Sequence, residues 1–275
     1  MSGKAMSLKA KIRNLAKEKG LPAQVILQNY MFERFLVRLS QSEFNDKFIL
    51  KGGMLIAALI GIDNRATMDL DVTVKDFLLN IDTLSEAIHD ICQIKIEDGV
   101  KFSLSGAIEI RDDDPYGGYR VSITADYGTI SVPMQIDVTT GDVITPKEIQ
   151  FPFKMNFSEG TISVLAYNIE TVLAEKMETI LRRGELNTRP RDFYDVYILS
   201  KTQPFELAVF VKALAQTSEH RETTHIFRDV QRRVADLCLS ETLKSRWDKY
   251  KNDYEYAKAI SYDDVMGEIL KLLNE

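Results

Sequence analysis

The chain predicts an α/β half built on a mixed sheet, followed by an all-helical half. Three observations carry this. Apolar and polar residues alternate with a period of two in 68–74 and 129–138. Strand-like segments cluster between 100 and 165, and after about residue 166 the period changes to that of helices. At 275 residues there is room for one large domain or two smaller ones with a self-sufficient core. The expected division is an α/β domain with N-terminal helices over 1–166 and a helical domain over 167–275, packed closely with a cleft between them.

Taken in order, 6–20 and 23–42 read as helices. In the second, Val25, Ile26, Tyr30, Phe32, Phe35, Leu36 and Leu39 recur near the helical period. Phe48, Ile49 and Leu50 form a short extended approach to Gly52 and Gly53, after which 54–59 is helical. The strand 68–74 puts Leu70, Val72 and Val74 on one face and Asp69, Asp71 and Thr73 on the other. A helix over 82–93 follows, then strands over 100–110, 118–126, 129–138 and 161–165. Turn signals stand at 114–118 and at Tyr127-Gly128. In 132–138, Met134, Ile136 and Val138 face the core while Gln135 and Asp137 face away, and Pro133 favours an edge or a strand start. Helices are expected over 168–183, 190–201, 205–216, roughly 222–250, and 262–274.

Composition is that of an ordinary globular protein, 45% hydrophobic and 28% charged. The two cysteines, Cys92 and Cys238, are far apart, which fits a reducing cytosol and excludes a disulfide scaffold or zinc finger. The longest apolar run, 52–62, is too short to span a bilayer, and no signal-peptide pattern is present. A cytoplasmic protein is expected, with no membrane partner. The net charge of −6 is unevenly spread. Residues 1–51 hold ten Lys/Arg against four Asp/Glu, and residues 52–142 hold six against sixteen. A basic segment beside an acidic one suits a polyanion next to a cation site. Equally, Lys4, Lys9, Lys11, Arg13, Lys17 and Lys19 can be the wet face of a helix.

The acidic stretch holds the chemistry. Asp69 and Asp71 point the same way from one strand, so their carboxylates can share a Mg²⁺ ion, with waters and phosphates completing its oxygen shell. Asp137, on a second strand's polar face, offers a third acid for a two-metal site or a general base. Gly52 and Gly53 open a helix whose free N–H groups and dipole favour a phosphate, and glycine lets the backbone approach a ligand closely. Singly, each feature also reads as a solvated strand face or a turn; their order and spacing point to phosphoryl transfer. Farther on, Lys176 sits on one helix and Arg191, Asp192 and Asp195 on the next, which Pro190 opens. Those last three are neighbours on a helix surface, as intrahelical ion pairs or with functional roles, Lys176 then reaching a triphosphate while Asp192 or Asp195 orients it or acts as base.

Four blocks, in order, resemble the AbiEii/AbiGii family of nucleotidyltransferase-like toxins from toxin–antitoxin and phage abortive-infection systems. They are Lys51-Gly52-Gly53, then Arg65-Ala66-Thr67-Met68-Asp69-Leu70-Asp71, then Glu175-Lys176-Met177, then Arg189-Pro190-Arg191-Asp192-Phe193-Tyr194-Asp195. The resemblance spans about 48–200; the helical tail from about 203 carries no motif of it. It implies a polymerase-β-like nucleotidyltransferase core, Gly52 and Gly53 in the nucleotide-binding glycine motif, Asp69 and Asp71 on the metal, and Lys176 with Asp192 or Asp195 near the nucleotide. Lys51, Arg65, Thr67 and Arg191 are the further candidates for nucleotide contact, and Asp137 the third metal ligand. Implied with them are Mg²⁺ (or Mn²⁺), a nucleoside triphosphate substrate, an RNA acceptor such as tRNA, and a winged-helix repressor as an antitoxin that forms no stable complex. The superfamily pattern has Ser where this chain has Gly53, so one side-chain phosphate contact is missing. Two other readings remain: transfer to a protein or small molecule, and a GTP- or NTP-binding module without turnover.

Overall fold

The computed structural model describes residues 3–110 and 117–274, so most of the turn signal at 114–118 lies outside the described residues, as does the side chain of Lys4. The chain separates into two compact units, 1–142 with 148–166, and 143–147 with 167–275.

In the first unit, α1 (Gly3–Lys19) buries Ala5, Leu8, Ile12 and Ala16, spaced as one helical stripe. Lys9, Lys11, Arg13 and Lys17 are exposed, and Lys19 lies 3.4 Å from Asp63. Helix α2 (Ala23–Ser40) is buried over nearly its whole second half, polar residues included. Those polar groups need partners, since an unpaired buried one costs about 1–3 kcal/mol. Arg38 forks onto both oxygens of Asp98 at 2.8 and 2.9 Å, Glu33 accepts from the Asn156 backbone at 2.9 Å, and Asn29 donates to the Thr67 carbonyl at 2.8 Å. The last bond ties α2 to the loop that carries Asp69.

The strands are β1 (Phe48–Lys51), β2 (Leu70–Val74), β3 (Lys101–Ile110), β4 (Gly118–Tyr127), β5 (Ile130–Thr140), β6 (Ile149–Lys154) and β7 (Thr161–Ala166). Among the described residues they form one seven-stranded sheet in the order β3-β4-β5-β2-β1-β7-β6. It is mixed: β2 runs parallel to β5 and β1 to β7, and the other neighbours are antiparallel. The α/β class with a mixed sheet is therefore as expected. Helix α3 (Gly52–Ile60) packs on β1 and β2, and α4 (Ile81–Gln93), capped by Asn80, packs on β3.

Three expectations change here. Asp69 lies outside the strand: pairing with β5 begins at Leu70, and 65–69 is a loop in which Thr67 Oγ1 accepts from the Asp69 N–H at 3.4 Å. Pro133 is the fourth residue of β5, an interior strand, neither an edge strand nor a strand start. It is tolerated because β2 pairs with β5 only from Ile136 onward, and its carbonyl accepts from Gln28 Nε2 at 3.3 Å. Strand β6 was not expected. Among the described residues it is an edge strand paired with β7, a position where proline is tolerated, and of its residues Phe151 and Phe153 are the buried ones.

The second unit comprises α5 (Ile169–Arg183), α6 (Pro190–Thr202), α7 (Leu207–His220), α8 (Val230–Leu239), α9 (Glu241–Asp253) and α10 (Tyr262–Asn274). Met177, Ile180, Phe193, Phe210, Trp247 and Ile269 fill its core, each contributing roughly 1.5–3 kcal/mol on leaving water. Residues 143–147 belong to it because Asn168, the cap of α5, donates to the Thr145 and Lys147 carbonyls at 2.8 and 2.9 Å. The single helix expected over 222–250 is instead a 3-10 turn, Thr224–Asp229, followed by α8 and α9. The break falls at Ser240, whose hydroxyl caps α9 by accepting from the Leu243 N–H at 3.4 Å. No described helix is long and apolar enough to cross a membrane.

Candidate active site

The chain leaves β1 in an extended conformation at Lys51 and turns into α3 through Gly52, at φ 62°. A Cβ on Gly52 would lie 2.0 Å from Asp71 Oδ2, so no other residue fits without displacing that carboxylate. The same oxygen accepts from the Gly53 N–H at 3.3 Å. The glycine pair thus admits a carboxylate of this chain to the positive end of α3. A Cβ on Gly53 would meet Thr67 Oγ1 at 2.6 Å and Arg65 Nη1 at 3.4 Å. The Thr67 hydroxyl thus takes up the space in which a side chain on Gly53 would stand. Arg65 is buried, with Nη1 donating to the Ala66 carbonyl at 2.8 Å, and so braces the loop.

Strand register brings the charged candidates into one row. Lys51 of β1 is opposite Asp71 of β2, Asp71 is beside Asp137 of β5, and Asp137 is opposite Arg120 of β4. Arg120 grips Asp137 through both oxygens, Nε to Oδ1 and Nη2 to Oδ2, each at 2.7 Å. At the other end Lys51 Nζ lies 2.5 Å from Asp142, whose carboxylate also accepts from the Thr139 hydroxyl at 3.1 Å. Asp69 stands exposed at the entrance to β2. Burial pushes the Asp71 carboxyl above its usual range; Lys51 and the Gly53 N–H oppose the shift, while Asp137 and Asp69 add to it. Hydrogen bonding and attraction from Asp137, then the fields of Asp69 and Asp71, hold the Arg120 guanidinium firmly protonated.

Arg120 and Asp142 escaped the sequence reading. A signal for Arg120 was present. The Tyr127-Gly128 turn fixes a hairpin in which Tyr127 pairs with Ile130, and counting back along that register sets Arg120 against Asp137. For Asp142 no sequence signal of that kind exists.

In the second unit, Lys176 of α5 lies 2.5 Å from Asp192 and 3.3 Å from Asp195, both on α6. The two acids are buried and pair with Lys176 of α5, so of the two readings left open, surface pairs within α6 and acids that orient Lys176, the first is corrected. Arg191 does not pair with Asp195; its Nη2 donates to the Tyr254 hydroxyl at 2.9 Å and its guanidinium lies 5.6 Å from that ring's centre. Glu175 and the buried Glu178 are both bridged by Arg221 of the α7 C-terminus, at 3.1 and 2.8 Å.

Asp69 and Asp71 are the carboxylates that could hold one hard cation. Mg²⁺ is commonly held by one or two carboxylates, with water and substrate phosphates as its other ligands. Asp71, cradled where a Cβ on Gly52 would stand, and the exposed Asp69 supply two. Among the described residues no trio of His, Cys, Asp or Glu side chains is gathered as a metal shell.

A family model described as "Nucleotidyl transferase AbiEii toxin, Type IV TA system" matches residues 34–268. No curated protein matches the chain. Among solved structures, JHP933 from Helicobacter pylori is 19% identical, with 92% of this chain and 94% of that one covered and a TM-score of 0.49. A candidate nucleotidyltransferase from H. pylori is 17% identical over 92% and 96%, with a TM-score of 0.48. An antigenic nucleotidyltransferase-like protein from Paracoccidioides brasiliensis is 15% identical over 69% and 88%, with a TM-score of 0.40.

Proposed function

The chain belongs to the AbiEii family of nucleotidyl transferase toxins of type IV toxin–antitoxin systems, and from that premise we propose that it moves a nucleotide from a nucleoside triphosphate to an RNA acceptor, tRNA above all, and that this transfer is its toxic act. The observation that carries the reading is the carboxylate of Asp71 fixed at the start of α3, beside the exposed Asp69. These two would hold Mg²⁺ or Mn²⁺, which when bound offsets the charge of the triphosphate. Gly52 keeps the space that Asp71 needs, and Thr67 offers a hydroxyl next to the α3 N-terminus. By the resemblance, Lys176, whose ammonium Asp192 and Asp195 orient, is a further candidate for nucleotide contact. A nucleotide substrate and a cognate antitoxin follow from the family.

The test is incubation of the full chain with each labelled triphosphate, Mg²⁺ and total cellular RNA, alongside Asp69→Ala and Asp71→Ala. Label is expected on RNA with the native chain and on nothing with either variant, and growth inhibition should vanish with both. Label on protein or a small molecule instead would replace the acceptor. Toxicity that survives both substitutions would sink the assignment of Asp69 and Asp71.

A further inference from the structure

We propose that Arg120 takes the place of a second metal ion at this site, so that the protein works with one divalent cation, held by Asp69 and Asp71, while Asp137 serves as the seat of Arg120. This rests on the metal-dependent reading above and adds the number of ions and a positioning residue.

Two carboxylates side by side on neighbouring parallel strands, as Asp71 and Asp137 are, repel one another and require positive charge close by. A second divalent ion would answer that need. Arg120 answers it permanently. Its planar fork meets both oxygens of Asp137 at 2.7 Å, the bidentate geometry that guanidinium and carboxylate share. Those are the oxygens an ion at Asp137 would require. The β4–β5 ladder extends unbroken from Gly118–Thr139 to Tyr127–Ile130, so backbone pairing fixes Arg120 opposite Asp137. The Arg120 side chain is 40% exposed, which leaves its remaining N–H donors open to water and to a phosphate. Lys51, at the far end of the row, is bound to Asp142. Asp137 thus fixes Arg120 in the same row as Asp71.

The experiment counts Mn²⁺ ions bound to the full chain by electron paramagnetic resonance of the free ion, with thermal denaturation as a check on folding. Native protein should bind one, and Asp71→Asn should abolish it. Asp137→Asn should still bind one, and so should Arg120→Lys. Arg120→Gln should bind two, the second lost again when Asp137→Asn is added. Two ions on native protein, loss of an ion in Asp137→Asn, or a single ion on folded Arg120→Gln would each overturn the inference, with the transfer reading left standing. If Arg120→Gln fails to fold, Asp137→Asn alone decides. Absence of bound Mn²⁺ from native protein would remove the metal-dependent reading, and this inference with it.

Discussion

Each unit of the molecule holds a group of lysine or arginine and aspartate side chains, and the two groups are held in different ways. In the first unit, Lys51, Asp71, Asp137 and Arg120 are placed by strand register, so backbone hydrogen bonds position them; the Asp71 carboxyl is buried, while Arg120 and Asp137 stay within reach of water. In the second, Lys176, Asp192 and Asp195 are placed by packing of α5 against α6, and the two acids are sealed beneath the lysine. Charge that a ligand is to use must remain accessible even where a partner holds it, as Asp137 holds Arg120. Charge that is buried must be matched by a partner or it destabilises the fold. The row is built in the first manner and the trio largely in the second.

The largest effect should come from the row's one irreplaceable atom position. Gly52→Ala sets a methyl 2.0 Å from Asp71 Oδ2 at a φ of 62°. Transfer should fall by about 100-fold or more, as for a catalytic group moved by about 1 Å. Labelled-nucleotide transfer measures it, and near-native activity would mean that Asp71 need not sit where it does. Next is the trio. Lys176→Met removes the cation that Asp192 and Asp195 share, so the unfolding free energy should drop by about 3 kcal/mol in denaturant titration. A loss under about 1 kcal/mol would mean that the trio is held as loosely as the row, and the contrast between the units would collapse. Arg120→Gln is the matched change on the open side. Its pair with Asp137 is 40% and 22% exposed, so stability should fall by at most about 1 kcal/mol. A larger loss would make Arg120 a structural residue first.

What could be read from the sequence divides along the same line. Local periodicity showed α2, β2, β5 and α5 because each carries its own apolar stripe or alternation. The Asp69–Asp71 pair and the glycine pair were legible because they are close in sequence. Partners across strands were not: that Asp71 occupies the space at Gly52, or that Lys51 finds Asp142, depends on how β1, β2 and β5 come together. Arg120 went unread although a signal existed, since a two-residue hairpin carries its register in the turn. Asp192 and Asp195 looked like surface residues by spacing alone, because helical spacing says which residues share a face and not what covers it.

The smallest effect offers a control, a buried acid with neither a lysine above it nor an open row around it. Glu33 is fully buried on α2, with Oε1 accepting from the Asn156 N–H and side-chain amide and Arg34 at 3.7 Å. Burial raises its carboxyl above the ordinary glutamate value of 4.5, against the pull of the Asn156 hydrogen bonds and Arg34. Between 4.5 and the raised value the folded chain therefore holds more protons than the unfolded one. Stability should fall as pH rises through that window and stay level, as far as this group is concerned, above and below it. Glu33→Gln keeps the oxygen that Asn156 uses and removes the titration, so the difference in unfolding free energy between native and variant should carry this slope alone. Denaturant titrations across the window would show it. A difference of opposite slope would mean that Arg34 and Asn156 outweigh burial, and that Glu33 belongs with the trio as an acid whose charge its partners fully offset.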